Sequence, residues 1–248
     1  MVEEGSRIAD IGTDHAYLPI ELVRTHRVTY ALAMDIRPGP LAGAREHAEA
    51  AGLSGQIELR LSNGLSAMRP GEADTVILAG MGGDLIAQIL TDGRKKLSGV
   101  RTLLLSPHTK VARVRGLLDE LDFQIAREDM VRDAGKYYVI LCAKRIQAGQ
   151  DGWPGGTGQD GHPVQAGPDG CPTENDSLYE AVRHYCGTYL PEHAHPLLRE
   201  WLLKREETLW RICTGLQEKD ADAKRLQALA QELELIRYVL AHYYASGE

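Results

Sequence analysis

Short apolar runs alternate with amphipathic helical stretches from Arg7 to about Arg145 in this 248-residue chain. Runs with the length of buried strands lie near 7–11, 30–35, 56–61, 74–80, 101–106, 123–130 and 136–143. Stretches with helical spacing lie near 16–26, 41–51, 83–90 and 110–121. Such alternation is typical of a mostly parallel sheet with helices on both faces. The sequence therefore predicts an α/β fold, closed by an antiparallel pair whose connection, residues 131–135, contains the turn residue Gly135.

The first predicted strand ends in Asp10-x-Gly12-x-Asp14, just before a helical run. A glycine past a strand lets the backbone approach a ligand, and the following helix start offers unpaired N–H groups. The third glycine of a dinucleotide-binding loop is missing, and Asp14 stands near its place. A carboxylate there repels a pyrophosphate and attracts a cation, which favours a phosphate-free ligand such as S-adenosylmethionine (SAM). The alternative is an ordinary strand-to-helix turn.

A second acid, Asp35, follows the next predicted strand. In doubly wound folds, an acid about 20 residues beyond the glycine turn binds a ribose. One carboxylate accepts hydrogen bonds from both vicinal hydroxyls. Since Pro38 and Pro40 precede a helical stretch, a helix N-cap is the alternative role. We favour the ribose role for Asp35.

The composition, 43% hydrophobic and 25% charged, is that of a soluble globular protein. The chain has no run of 18 apolar residues, and it begins with neither a basic nor an apolar segment. No Cys-x-x-Cys motif occurs, which argues against a zinc site and fits a reducing compartment. We therefore expect a cytoplasmic protein with no metal and no membrane partner. The four cysteines are Cys142, Cys171, Cys186 and Cys213.

The charge distribution permits an RNA partner even though the net charge of −7 argues against one. Residues 91–145 carry 12 Lys or Arg against 7 Asp or Glu. Two clusters in this stretch are candidates for facing phosphates. They are Arg94-Lys95-Lys96, with Arg101, and Lys110-x-x-Arg113-x-Arg115.

The C-terminal part of the chain begins with a change of composition. Residues 147–176 are rich in glycine and proline, which predicts a flexible insertion or linker between a domain at 1–146 and a helical region at 177–248. Two helices are predicted near 196–215 and 223–244. The second carries a heptad seam of Leu226, Leu229, Leu233, Ile236, Leu240 and Tyr243. An antiparallel hairpin within a monomer is the simplest arrangement, and intermolecular pairing is the alternative.

Three strings, read together, resemble the bacterial tRNA (adenine-22)-N1-methyltransferase family. They are DIGTDHAYLP from Asp10, SNGL from Ser62 and AGMGG from Ala79. The resemblance covers most of the chain and implies a class I, Rossmann-like methyltransferase sheet of seven strands with a C-terminal coiled-coil hairpin. It also implies SAM as cofactor and methyl transfer to N1 of an adenine in the D-arm region of tRNA. Family members begin with a short basic helical segment and usually have Gln-Pro-Asn where this sequence has Ser106-Pro107-His108.

The site residues follow from these motifs. The predicted cofactor-binding residues are Asp10, Gly12, Asp14, His15, Asp35, Ile36, Asn63, Gly64, Gly80 and Met81. Methylation of adenine N1 creates a cation, so a nearby carboxylate would stabilise charge or accept a proton from N6. The predicted catalytic residues are therefore Asp14 and Asp10, with Tyr17 to orient or stack on the base. A methyltransferase with a protein or small-molecule acceptor and an inactive SAM- or RNA-binding protein are the alternative functions.

Overall fold

The computed structural model describes residues 1–146, 177–217 and 223–245. They form two compact units, of which the first comprises Met1–Glu128 and Tyr138–Ile146. The second comprises Asp129–Tyr137 and the described residues after 146. The predicted linker 147–176 lies outside the described residues, and the domain boundaries stay predictions.

A seven-stranded mixed sheet forms the centre of the first unit, which confirms the predicted Rossmann-like fold class. Its strands are β1 (Ser6–Ile11), β2 (Val28–Asp35), β3 (Ile57–Leu61), β4 (Thr75–Met81), β5 (Thr102–Pro107), β6 (Phe123–Asp133) and β7 (Lys136–Arg145). The strand order is β3-β2-β1-β4-β5-β7-β6. The pairs from β3 to β5 are parallel, and β7 pairs antiparallel with β5. The order reverses between β1 and β4, which is where such sheets bind ligands.

Four helices cover the sheet and give it two apolar cores. They are α1 (Tyr17–Arg24), α2 (Pro38–Ala50), α3 (Gly83–Asp92) and α4 (Val111–Glu120). Successive side chains of a strand point to opposite faces. Leu32 and Met34 of β2 thus belong to one core, whereas Ala31 and Ala33 belong to the other. Burial on both faces explains why these strands read as continuous apolar runs.

The hairpin between β6 and β7 is tighter than the sequence predicted. Only Ala134 and Gly135 separate the two strands, and both have positive φ angles, 44° and 79°. Positive φ at both central residues is the signature of a two-residue type I′ turn, whose twist matches that of the strands. Residues 131–133 therefore extend β6 and are not part of the connection.

The described residues of the second unit form four helices, two of which the sequence analysis missed. Those two are α5 (Ser177–Cys186) and α6 (Tyr189–Glu192), and the others are α7 (Pro196–Gln217) and α8 (Ala223–Tyr243). Ion pairs Arg205–Glu232 and Arg237–Glu206 join α7 to α8. In α8 the most buried side chains are Ile236 and Val239, and the predicted seam omitted the second. The coiled-coil hairpin stays a prediction.

Across the described ranges, no helix has both the length and the apolar character that a membrane crossing requires.

The basic clusters have different roles in the structure. Arg94-Lys95-Lys96 lies in a short 3-10 helix, and Arg113 is exposed beside Asp84. Arg115 is buried, and its Nε donates to Oε1 of Glu128 at 2.9 Å. The prediction that Arg115 faces phosphates is therefore wrong, because its guanidinium is held inside the protein by a buried carboxylate.

We expect Arg115→Met to lower the free energy of unfolding by about 3–5 kcal/mol, because it takes the guanidinium away from the buried Glu128 carboxylate. Urea denaturation monitored by circular dichroism measures the loss. The exposed neighbour Arg113 supplies the control, since Arg113→Met removes a solvent-screened ion pair worth at most about 1 kcal/mol. Equal stability of the two variants would show that the buried pair contributes nothing to folding.

Candidate cofactor and active site

The carboxyl ends of β1 and β4 meet closely at the point where the strand order reverses. Gly12 follows β1 with φ +73°, and a Cβ at this position would overlap Cε of Met81 at the end of β4. Its N–H donates to the carbonyl of Met34 at the end of β2 (2.7 Å). Glycine therefore allows the first loop to run tightly across the ends of three strands, where the sequence predicted it would approach a ligand.

The first loop has an uncommon backbone conformation. Asp14 and Ala16 have φ angles of 52° and 57°, in the left-handed region that residues with a Cβ rarely occupy. Thr13 N–H donates to Met34 at 2.9 Å and helps hold this conformation. Strained residues of this kind occur often at functional sites, where the surrounding structure keeps them in place. The loop thus has the character of a ligand-binding element.

Asp35 is a buried carboxylate held at the end of β2. Its Oδ2 accepts a hydrogen bond from Asp14 N–H (3.3 Å), and its Oδ1 accepts one from Arg37 N–H (2.9 Å). A carboxylate has about four acceptor positions, so two remain for a pair of hydroxyls. Helix α2 has Arg37 as its N-cap, so Asp35 is not the N-cap that the sequence left open as an alternative. These contacts suit the ribose role.

Asp10 is a second buried acid. It is the penultimate residue of β1 and lies near Asp35, which ends the neighbouring strand β2. Burial raises the pKa of its carboxyl to about 6. The nearby Thr13 opposes that rise, and the charge of Asp35 adds to it. Two buried carboxylates on neighbouring strands repel each other, and a bound cation would relieve the repulsion. The acid pair therefore fits the cationic, ribose-containing ligand that the sequence predicts.

Asp14 and His15 are more accessible than these acids. The Asp14 carboxylate is exposed and lies 3.8 Å from Nε2 of His15, measured at Oδ1. Tyr17 stacks on His47 of α2, with ring centroids 5.0 Å apart and planes at 27°. The His15 ring packs against both. Sequence reasoning missed His47, because nothing in the sequence pairs a residue of α2 with the start of α1.

Exposed apolar side chains concentrate at the same edge of the sheet. Ile36 follows β2 and is 60% exposed, and Leu61 ends β3. Leu85 lies in the first turn of α3, directly after β4. An apolar surface left open beside a few polar groups is typical of a pocket that accepts a planar ring. Leu61 and Leu85 were missed, although their position at a strand's carboxyl end was the available signal.

The ends of β3 and β4 carry the remaining predicted residues. Asn63 is exposed at the start of a turn in which the Ser62 hydroxyl donates to Gly64 O (2.8 Å). The β4–β5 register shifts between Ala79 and Met81, so Gly80 (φ +76°) is a bulge in β4. No atom lies within 4 Å of the position of a Cβ at Gly80. This bulge leaves open space at the edge where an acceptor would approach.

The structure thus brings all the predicted cofactor residues to one edge of one sheet, at the ends of β1 to β4. Their roles stay predictions. Among the described residues, no group of three or more His, Cys, Asp or Glu is arranged to hold a metal ion.

Known proteins resemble this chain over most of its length. Residues 1–141 match a family model described as "Methyltransferase domain". The chain is 30% identical to the tRNA (adenine(22)-N(1))-methyltransferase of Bacillus subtilis (strain 168), over 97% of this chain and 93% of that protein.

Two solved structures share the architecture. The crystal structure of the B. subtilis M1A22 tRNA methyltransferase TrmK superposes with a TM-score of 0.78 at 28% identity, over 96% of this chain and 94% of that one. The crystal structure of Streptococcus pneumoniae Sp1610 in complex with S-adenosyl-L-methionine superposes with a TM-score of 0.75 at 31% identity, over 97% of this chain and 94% of that one. With the sheet topology and the acid pair, these similarities establish that the chain belongs to the tRNA (adenine(22)-N1)-methyltransferase family.

Proposed function

We propose that this protein transfers a methyl group from SAM to N1 of adenine 22 in the D-arm region of tRNA. The observation that carries the proposal is the extent of the similarity to the B. subtilis enzyme, which covers 97% of this chain. That similarity includes the C-terminal helices as well as the sheet. A methyltransferase with an unrelated acceptor would be expected to share the sheet alone, since function depends on what is added to a fold.

The cofactor lies, in this proposal, along the ends of β1 to β3. Asp35 accepts hydrogen bonds from the two ribose hydroxyls, while Ile36 and Asn63 contact the adenine ring. Asp10 and Asp14 face the positively charged end of the ligand, and Gly12 lets the loop approach it. SAM, when bound, would supply an electrophilic methyl group to adenine N1.

Positioning of the acceptor base accounts for much of the rate, because this reaction needs the acceptor nitrogen in line with the breaking carbon–sulfur bond. Asp14 is accessible to a base, so it stabilises the positive charge that develops on adenine or accepts a proton from N6. Tyr17, held by its stack on His47, orients the base. Asp10 is almost completely buried and acts on the charge of the cofactor, not on the acceptor.

We also propose that the protein works as a cytoplasmic monomer with tRNA as its partner and without a metal. A tRNA substrate supports the cytoplasmic location. Part of the apolar surface of α7 and α8 is buried within one chain, which supports a monomer, while Leu203, Trp210 and Ile212 of α7 are exposed. The most buried apolar side chains of these helices are Leu202, Leu209, Ile236 and Val239.

The direct test uses tRNA transcripts that carry adenine or guanine at position 22. After incubation with the protein and SAM, nucleosides are analysed by mass spectrometry. We expect one N1-methyladenosine per adenine-bearing tRNA and none in the guanine-bearing control. If SAM binds but neither transcript is methylated, the proposed acceptor is wrong.

We expect Asp35→Asn to raise the Kd for SAM about 10- to 100-fold, because charge-assisted hydrogen bonds to the ribose are lost. Isothermal titration calorimetry measures this change. Asp74→Asn is the matched control, since Asp74 precedes β4 at the opposite edge of the sheet and accepts from Arg7 N–H (3.1 Å). A Kd that stays at the wild-type value in Asp35→Asn would remove the ribose role.

SAM affinity is expected to depend on the protonation of Asp10. The cation favours the ionised carboxylate, whose pKa is about 6 in the free protein. Below that pH, binding must expel a proton, so the Kd rises as the pH falls and is about tenfold higher at pH 5 than at pH 7.5.

The comparison is with Asp10→Asn, which cannot titrate at this position. Between pH 5 and pH 7.5, the Kd of this variant for SAM should lack the change of about tenfold that is expected of the wild type. Parallel pH profiles for the two proteins would show that Asp10 does not sense the cofactor's charge.

A further inference from the structure

A pair of aromatic rings, His108 and Tyr138, lies just past the carboxyl end of β5 and has no part in the site described so far. Strands β5 and β7 pair antiparallel as far as Leu105 opposite Leu141. His108 lies three residues after Leu105, and Tyr138 lies three residues before Leu141. The ring centroids are 5.3 Å apart and the planes meet at 63°. The antiparallel course of the two strands therefore brings both rings to the same end of the sheet.

The backbone of His108 is fixed against the end of β4. Its N–H donates to the carbonyl of Met81 at 2.8 Å. The next residue, Thr109, accepts a hydrogen bond from Gly83 N–H at 3.0 Å, and a Cβ at Gly83 would lie 2.5 Å from this carbonyl oxygen. The His108 side chain is nevertheless exposed, and Tyr138 is half-buried. A rigid backbone thus presents an accessible ring pair.

The pair lies on the side of the sheet away from Asp35. In the order β2-β1-β4-β5-β7, three strand spacings, or roughly 14 Å, separate the end of β2 from the end of β5. A ligand with its ribose at Asp35 and its charge near Asp10 extends from β2 towards β4. The acceptor must then approach from the β5 side, where the Gly80 bulge leaves open space.

The chemistry of the two rings suits this acceptor. An edge-to-face pair leaves most ring faces uncovered by the partner ring, and exposed rings stack on nucleic-acid bases. The face of a tyrosine ring also attracts cations. In the transfer, N1 forms a bond to the methyl carbon while the carbon–sulfur bond breaks and sulfur keeps the electron pair. Adenine therefore becomes positively charged, and a tyrosine face favours it more as the reaction proceeds.

We propose that His108 and Tyr138 form the surface that receives the acceptor adenine. This inference rests on the proposed function and adds the residues that position the base. His108 packs against the neutral base and determines how tightly tRNA is bound. Tyr138 contacts the base as its charge develops and acts on turnover.

The test compares four variants in the full-length protein. His108→Ala and Tyr138→Leu remove the rings, and Tyr138→Phe keeps the aromatic face without the hydroxyl. His26→Asn is the control, since His26 is an exposed histidine at the amino edge of the sheet, directly before β2, and asparagine tolerates its φ of 55°. Each protein is assayed for the Kd for SAM, the KM for tRNA and kcat.

We expect His108→Ala to raise the KM for tRNA about 5- to 100-fold while the Kd for SAM stays within about twofold. Tyr138→Leu should lower kcat about tenfold, and Tyr138→Phe should restore it, because phenylalanine keeps a π face. The His26→Asn control should match the wild type. A tRNA with 2-aminopurine at position 22 adds a readout that does not require turnover, since stacking on Tyr138 quenches its fluorescence and Tyr138→Leu should abolish the quenching.

The outcomes separate this inference from the proposed function. Wild-type protein that makes N1-methyladenosine, together with unchanged KM, kcat and quenching in His108→Ala and Tyr138→Leu, would overturn the ring surface and leave the function standing. Wild-type protein that binds SAM but makes no N1-methyladenosine would overturn both. Should Tyr138→Leu fail to fold, the exposed His108→Ala still decides, because a KM for tRNA that stays at the wild-type value in that variant overturns the ring surface.

Discussion

The reversal of strand order between β1 and β4 is the constraint on which the rest of this structure depends. After β1 and after β4, the chain continues towards opposite sides of the sheet. The carboxyl ends of these two strands therefore lie beside each other with no crossover connection above them. The gap admits a ligand, and Gly12 allows the first loop to line it closely. The acid pair, the strained loop and the exposed apolar side chains all lie along this edge.

The two sides of the gap differ in charge. Asp10 and Asp35 are buried on the β1–β2 side, where burial raises the pKa of Asp10 and the charge of Asp35 adds to the rise. A cation placed there offsets a cost that the free protein bears. The β4–β5 side has a glycine bulge and the aromatic pair of His108 and Tyr138, so it offers space and ring surface to a neutral base. In the proposed reaction, methyl transfer runs from the acidic side to the aromatic side.

Much of the sheet could be predicted, because strands buried on both faces must be apolar along their whole length. The predicted strand near 30–35 appears as Val28–Asp35, and that near 74–80 as Thr75–Met81. Local turn chemistry was harder, since the positive φ of Ala134 is set by the β6–β7 twist and not by its own preference. Helices α5 and α6 were missed, and the buried pairing of Arg115 with Glu128 was read as a surface charge.

The sequence by itself determined the α/β class, the glycine at the first turn and the acids at the ends of β1 and β2, since these follow from local periodicity and residue chemistry. Only the tertiary structure decided which distant residues meet. Tyr17 contacts His47, His108 faces Tyr138, and Asp10 shares its buried surroundings with Asp35. Such contacts depend on strand order and register, which arise from packing of the whole sheet, and no local pattern encodes them.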